Sequence, residues 1–131
     1  MQPNFFILTN NPLVCETYKD SYTVEYKAGD FLNVLIAARD YIYAGHALLT
    51  HPLAGSVKPN ETPYKTVAIA TEKKELDFSA VEIISSSIQT CEKFLANTNA
   101  VNTREYTEKV LTDFQQIDCS LISCAIEIMG T

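Results

Sequence analysis

The chain alternates between short apolar runs and longer stretches in which apolar residues return every third or fourth position. The short runs are rich in β-branched and aromatic residues and are bordered by polar or turn-forming residues, which is typical of buried strands. This pattern predicts four strands, at residues 5–9, 22–26, 46–50 and 66–71.

The stretches with helical spacing predict four helices. A short helix is expected over residues 12–19, since Pro12 suits a first turn, where the missing N–H costs little. Asp30 is the expected N-cap of the second helix, which ends near Gly45. A capping-box pattern at Ser79-Ala-Val-Glu82 predicts the start of a third helix, which runs to about Asn97.

A fourth helix is expected to start at Thr103 and to end at Gly130. Its apolar positions recur at intervals of 4, 3, 4, 3 and 4, the most regular spacing in the chain. We expect this stripe to face the core, although so long a face could instead contribute to a homodimer. Its members are Val110, Phe114, Ile117, Leu121, Cys124 and Ile128.

Alternating strands and helices favour an α/β fold in one domain spanning residues 1–131. We predict a three-layer, Rossmann-like sheet of about four mostly parallel strands in the order 2-1-3-4, with two long C-terminal helices. The connection between the third and fourth strands has no helix of its own, so the fourth strand could be antiparallel.

Ligands of open α/β sheets bind beyond the carboxyl ends of the strands, where the strand order reverses. In the predicted order, this point lies between the first strand, which ends in Thr9-Asn-Asn-Pro12, and the third, which ends in Thr50-His-Pro52. We therefore expect their polar side chains to converge on one crevice.

Residues 51–65 contain three prolines and form an irregular connection, of a length that is usually functional. Lys58 and Lys65 could attract an anionic group there, while Ser56, Thr62 and Tyr64 donate hydrogen bonds. The expected ligand is a small anion such as a carboxylate or a phosphate. The candidate ligand-binding residues are Thr9, Asn10, Asn11, His51, Gly55, Ser56, Lys58, Asn60, Glu61, Thr62, Tyr64 and Lys65.

Charge and composition narrow the function classes. The chain has 131 residues and a net charge of −6, which argues against a general nucleic-acid or anionic-membrane surface. The first ten residues contain neither a signal peptide nor a membrane span, so we expect a cytoplasmic protein.

No cofactor or metal is expected. The spacings of a P-loop and of a dinucleotide-binding glycine motif are missing from the sequence, and the two histidines flank one strand. The four cysteines include no Cys-x-x-Cys pair, and we expect reduced, mostly buried thiols.

Two segments resemble the GrdX family: Thr-Asn-Asn-Pro at residues 9–12 and Leu-Leu-Thr-His-Pro-Leu-Ala-Gly-Ser-Val-Lys-Pro-Asn-Glu-Thr-Pro-Tyr-Lys at residues 48–65. Members of that family are small cytoplasmic proteins encoded with the selenium-dependent glycine, sarcosine and betaine reductases of amino-acid-fermenting anaerobes. The resemblance implies an association with that reductase system, and it brings no catalytic residues.

Three functions stay open at this point, and whether the protein is an enzyme stays open with them. The first is a non-enzymatic accessory protein of the reductase system that binds a small anion. The second is a small transferase or hydrolase that uses His51 as a general base. The third is an interaction module that docks on a reductase protein through its C-terminal helices.

Overall fold

The computed structural model describes residues 4–53, 62–96 and 106–130. Each predicted strand and helix is found, although several boundaries differ by a few residues. The strands are β1 (Phe5–Thr9), β2 (Val24–Tyr26), β3 (His46–Leu48) and β4 (Thr66–Lys73). The helices are α1 (Pro12–Tyr18), α2 (Phe31–Tyr43), α3 (Phe78–Ala96) and α4 (Glu108–Gly130).

The sheet is mixed, and its strand order is β2-β1-β4-β3. The predicted order 2-1-3-4 and the mostly parallel sheet are therefore wrong. β1 and β2 are parallel, as expected for strands joined by a helix, but β4 runs antiparallel to both β1 and β3. The physical reason is the connection at residues 51–65. Its three prolines disfavour the crossover helix that a parallel β3–β4 pair would need, and β4 pairs antiparallel with both β1 and β3.

The sheet lies between two helical layers, as the three-layer prediction required. Phe6 and Leu8 of β1 belong to a core cluster with α2 and α3, whereas Phe5 and Ile7 belong to a second cluster with α1 and α4. Alternate side chains of a strand point to opposite faces, so β1 contributes to both clusters and is buried along its whole length.

The helix starts follow the expected chemistry with one exception. The Asp30 side chain accepts a hydrogen bond from the Asn33 backbone N–H at 2.9 Å and caps α2. At the other end of α2, Gly45 has a φ of +108°, and a Cβ there would lie 2.4 Å from the Lys74 carbonyl oxygen. The predicted capping box at Ser79 is wrong, because Asp77 accepts from the Ser79 N–H at 2.9 Å and α3 has already begun at Phe78.

The helix α4 begins at Glu108, later than predicted, and Thr107 Oγ1 accepts a hydrogen bond from the Val110 N–H at 3.2 Å. The predicted start, Thr103, lies outside the described residues.

The predicted core face of α4 is also wrong. The buried row consists of Asp118, Ile122 and Ile126, which lie four residues apart. Ile117 and Leu121 from the predicted stripe are 44% and 39% exposed. The regular stripe therefore lies on the flank of the helix, and a less regular row that includes a carboxylate faces the sheet.

The cysteines correspond to the prediction only in part. They are free thiols, but Cys91 is the one that is fully buried, whereas Cys15 and Cys119 are half-buried and Cys124 is exposed. Burial raises the pKa of Cys91 to about 11, with smaller contributions from Asp30 and Glu92.

Candidate functional site

A buried polar cluster forms where β1 ends and β4 begins. Thr9 and Thr66 are paired across the two strands, and both side chains are almost fully buried. Their hydroxyl oxygens lie 2.7 Å apart. Two threonines in register on neighbouring strands thus place a pair of hydroxyl groups beneath α4.

The carboxylate of Asp118 completes this cluster from α4. Thr66 Oγ1 donates to Asp118 Oδ2 at 2.6 Å, and Asn11 Nδ2 donates to the same oxygen at 2.9 Å. Because the Thr66 proton is used in this way, the Thr9 hydroxyl must donate to Thr66. Thr9 Oγ1 in turn accepts the Asn11 backbone N–H at 2.9 Å. The hydrogen bonds therefore run in one direction toward the carboxylate, an arrangement in which neighbouring bonds strengthen one another.

Asn11 links the start of α1 to α4. Its Oδ1 accepts from the Leu13 backbone N–H at 3.0 Å, so the side chain caps α1. Its Nδ2 donates to the Gln115 carbonyl oxygen at 3.0 Å as well as to Asp118. One buried amide thus holds two helices together across about a hundred residues of sequence.

Asn10 links three segments of the chain. Its Nδ2 donates to the Gly29 carbonyl oxygen at 2.9 Å and to the Pro63 carbonyl oxygen at 2.8 Å. Its Oδ1 accepts from the Lys65 backbone N–H at 2.9 Å. This side chain therefore fixes the backbone on which Lys65 stands, and its role here is structural.

Lys65 is the buried cation of the cluster, with 5% of its surface exposed. Its Nζ lies 5.9 Å from the centroid of the Phe31 ring, within the range of a cation–π interaction. Burial lowers the pKa of Lys65, because an ammonium group loses hydration there, and the negative charge of Asp118 opposes this shift. The cluster therefore contains a buried positive charge close to the negative charge of Asp118.

A small depression, which we call the Lys65 recess, opens beside this ammonium group. Its cavity volume is about 10 Å³, roughly the space of one water molecule. Tyr64 stands at its side, and its hydroxyl accepts a hydrogen bond from Gln115 Nε2 at 2.9 Å. The recess is lined by Phe31, Thr62, Tyr64, Lys65, Phe114, Ile117, Asp118 and Leu121.

The structure brings together about half of the predicted ligand-binding residues. The ones that meet in the cluster or the recess are Thr9, Asn10, Asn11, Thr62, Tyr64 and Lys65. The predicted residues Gly55, Ser56, Lys58, Asn60 and Glu61 lie outside the described residues.

His51 lies apart from this group. β4 separates β3 from β1, so these two strands are not neighbours, and the last residue of β3, Leu48, lies level with Phe6 rather than with Thr9. The His51 ring is exposed, and its Nδ1 accepts the Leu53 backbone N–H at 3.0 Å. Within the described part of the chain, no hydrogen bond joins His51 to the cluster.

The residues predicted from the sequence to form the site did not include Asp118, Thr66 and Gln115. A signal for Asp118 was available, because this acid shares its helix face with Ile122 and Ile126 at steps of four residues. An acid in an apolar row predicts a buried, paired carboxylate. The more regular stripe on the neighbouring face concealed that row.

A larger cleft of about 490 Å³ lies between α2 and the β1–β2 edge of the sheet. Glu25 and Asp40 line it together with Lys27 and Tyr41. The pKa of Tyr41 is raised by burial and by Glu25, through its charge and a hydrogen bond. Two carboxylates and one ammonium group make this cleft unsuited to an anion.

The hydroxyl groups of the cluster are satisfied by its own hydrogen bonds. The hydroxyl groups of Thr9 and Thr66 are both engaged as donors and acceptors, so neither is poised as a nucleophile. In the described ranges, no group of three or more His, Cys, Asp or Glu residues is arranged to hold a metal ion. None of the helices in those ranges is long and apolar enough to cross a membrane.

Comparison with known proteins identifies a family. Neither the curated proteins nor the solved structures gave a match to this chain. A family model described as GrdX-like protein matches residues 6–127. Because that match extends over nearly all of the 131 residues, the protein belongs to the GrdX family.

Proposed function

We propose that this protein is a cytoplasmic, non-enzymatic accessory protein of the glycine, sarcosine and betaine reductase system. In this role it binds a small anionic ligand at the Lys65 recess. Membership of the GrdX family supports the accessory role. The observation that carries the ligand proposal is the buried ammonium group of Lys65, which directly precedes the central strand β4.

An anion at Lys65 is favourable for an electrostatic reason. The ammonium group has lost most of its hydration, and Asp118 already accepts hydrogen bonds from Thr66 and Asn11. A carboxylate or phosphate oxygen in the recess would provide a second negative partner where electrostatic interactions are strong. The Thr62 and Tyr64 side chains stand at the same recess to orient it.

The size of the recess limits the ligand. A cavity of about 10 Å³ holds about one water molecule, so it takes one oxygen atom of a carboxylate or phosphate while the rest of the ligand lies outside. The ligand class is therefore a carboxylate or phosphate on a small body, such as an amino-acid carboxylate. Five of the predicted ligand-binding residues come just before Thr62 in sequence, and we propose that they contact the rest of that ligand. They are Gly55, Ser56, Lys58, Asn60 and Glu61.

We prefer this proposal to the alternative hypothesis, in which the protein is an enzyme that uses His51 as a general base. The Leu53 N–H donates to Nδ1 of His51, so the proton of the neutral ring is on Nε2. The Nδ1 lone pair, which a general base would use to accept a proton, is therefore already occupied by this hydrogen bond. The hydrogen bonds of the Lys65 cluster favour ligand binding over proton transfer.

A thermal-shift experiment tests the ligand proposal. Glycine, sarcosine, betaine, acetate, phosphate and acetyl phosphate are added at millimolar concentrations to the purified protein. Ligands that bind the folded state raise the melting temperature, by a few degrees at saturation. The Lys65→Met variant keeps the apolar stem but lacks the ammonium group, and we expect it to show no shift.

Lys19→Met is the matched control, because Lys19 is exposed and pairs with Glu16 on the surface of α1. It should respond to the ligands as the wild type does. Equal shifts in Lys65→Met and wild type, or no shift with any of these compounds, would contradict the ligand proposal. The accessory role is tested separately, by measuring binding of the immobilised protein to purified reductase components; binding to none of them would exclude it.

A further inference from the structure

The helix α4 presents an apolar row to solvent, which we call the outer stripe. It consists of the positions spaced by four and three residues, and this is the spacing of the a and d positions of a heptad. Val110, Ile117 and Leu121 are each between 37% and 44% exposed, and Ile128 is 76% exposed. The outer stripe comprises Val110, Phe114, Ile117, Leu121, Cys124 and Ile128.

The outer stripe is distinct from the row that packs on the sheet, and three of its members, Phe114, Ile117 and Leu121, also line the Lys65 recess. At 100° per residue, its centre lies about 120° around the helix from the buried row of Asp118, Ile122 and Ile126. It extends from Val110 to Ile128, about 27 Å along the axis. Apolar residues at heptad spacing over such a length form the seam that packs against a second helix.

The charges beside the outer stripe are mostly negative, and Lys109 is the exception on that side of the helix. Asp113 and Glu127 flank it on the outward side, and both are exposed. They occupy the same heptad position, with Ser120 between them. Lys109 is the one basic residue in the sequence of α4, against four acidic residues. A helix that packs along the seam would therefore meet negative charge at its edge.

We propose that the outer stripe docks an amphipathic helix of a partner protein whose apolar seam is flanked by lysine or arginine. Charge complementarity selects this partner over a second copy of the chain. In an antiparallel pair of identical helices, Val110 would meet Ile128, but Asp113 would then meet Glu127 of the second copy. One helix face buries less area than a standard interface, so the complex is transient.

Two designed peptides test the proposal against the full chain. Both have three heptads with Leu at a and d, and one has Lys at e and g whereas the other has Glu. Fluorescence anisotropy should show that the lysine peptide binds at least about tenfold more tightly than the glutamate peptide. Added salt should reduce that difference, because exposed charges are screened.

Substitutions locate the binding surface. Val110→Glu and Ile128→Glu, which lie on the stripe outside the Lys65 recess, should each weaken binding of the lysine peptide by about tenfold or more, since each places a charge in the seam. Ile83→Glu is the control, because Ile83 is 38% exposed and lies on α3 rather than on the stripe. Asp113→Lys combined with Glu127→Lys should reverse the preference between the peptides. Asp20→Lys combined with Glu72→Lys changes the net charge equally, away from the stripe, and should not.

Three results would overturn the proposal. The first is equal binding of both peptides, or binding of neither at millimolar concentration. The second is a charge preference that both lysine double variants change equally, because it would reflect net charge alone. The third is a dimer in light scattering that Val110→Glu converts to monomer, since the stripe would then belong to a second copy. The melting temperature of each variant confirms that it is folded.

Discussion

At the scale of single residues, the central feature is a carboxylate and an ammonium group held in the interior at one edge of the sheet. Asp118 is 6% exposed and accepts hydrogen bonds from Thr66 and Asn11, while Lys65 is 5% exposed beside the Phe31 ring. Burying either charge alone is costly, so each of the two depends on the surrounding polar groups. These side chains are therefore coupled.

Removing Asp118 should destabilise the protein strongly. Asp118→Ala removes the acceptor of the Thr66 hydroxyl, one of the two acceptors of the Asn11 amide and the negative charge close to Lys65. We expect the free energy of unfolding, measured by urea denaturation, to fall by about 3 kcal/mol. Asp113→Ala is the matched control on the exposed side of the same helix, with an expected change within about 0.5 kcal/mol.

The coupling between Asp118 and Lys65 can be measured by introducing Lys65→Met into the wild type and into the Asp118→Ala variant. Once Asp118 is absent, the ammonium group has lost a partner, so its removal should recover part of the lost stability. Equal losses in Asp118→Ala and Asp113→Ala, or strictly additive effects of the Asp118 and Lys65 substitutions, would refute the coupled cluster.

At the scale of elements, the sequence predicted the existence of the strands and helices well but chose the wrong face of α4. Local patterns and caps such as Asp30 and Gly45 determine where a helix forms. They do not determine which of two apolar rows meets the sheet. The outer stripe is the more regular row, whereas the row that packs includes Asp118, whose polarity is satisfied by side chains distant in sequence.

A pair of isoleucines distinguishes the two faces. Ile122→Ala should lower the free energy of unfolding by about 3 kcal/mol, because Ile122 is 3% exposed in the cluster with β1 and α1. Ile117→Ala, on the outer stripe, should cost less than about 1 kcal/mol, since Ile117 is 44% exposed. Urea denaturation of both variants provides the measurement, and the reverse ranking would restore the predicted core face.

At the scale of the whole molecule, the insertion of β4 between β1 and β3 could not be read from local pattern. Strand direction was left open by the missing crossover helix, but strand order depends on pairing between segments about 60 residues apart. The wrong order led to the expectation that His51 would face Asn10. The true order places Lys65 beside Asn10, because Lys65 directly precedes β4 and β4 is the actual neighbour of β1.

The candidate site was therefore predictable at its β1 end and not at its α4 end. Thr9, Asn10 and Asn11 end a clear strand, where turn residues and ligand-binding residues are both common. Asp118 and Gln115 reach the site only because α4 packs over the sheet, a tertiary contact across about a hundred residues. The same packing leaves the outer stripe of α4 exposed on the flank of the molecule.

The most direct test of the account is an NMR titration of the Lys65 side chain with and without a small anion. In the free protein, the ¹³Cε resonance of Lys65 should report a pKa below that of the exposed lysines, because burial disfavours the charged form. Saturating acetate or phosphate should raise the pKa of Lys65 and leave the pKa values of the exposed lysines unchanged, since a bound anion favours the ammonium form. An unchanged Lys65 pKa at saturating concentrations of both anions would contradict the claim that this buried cation anchors the ligand.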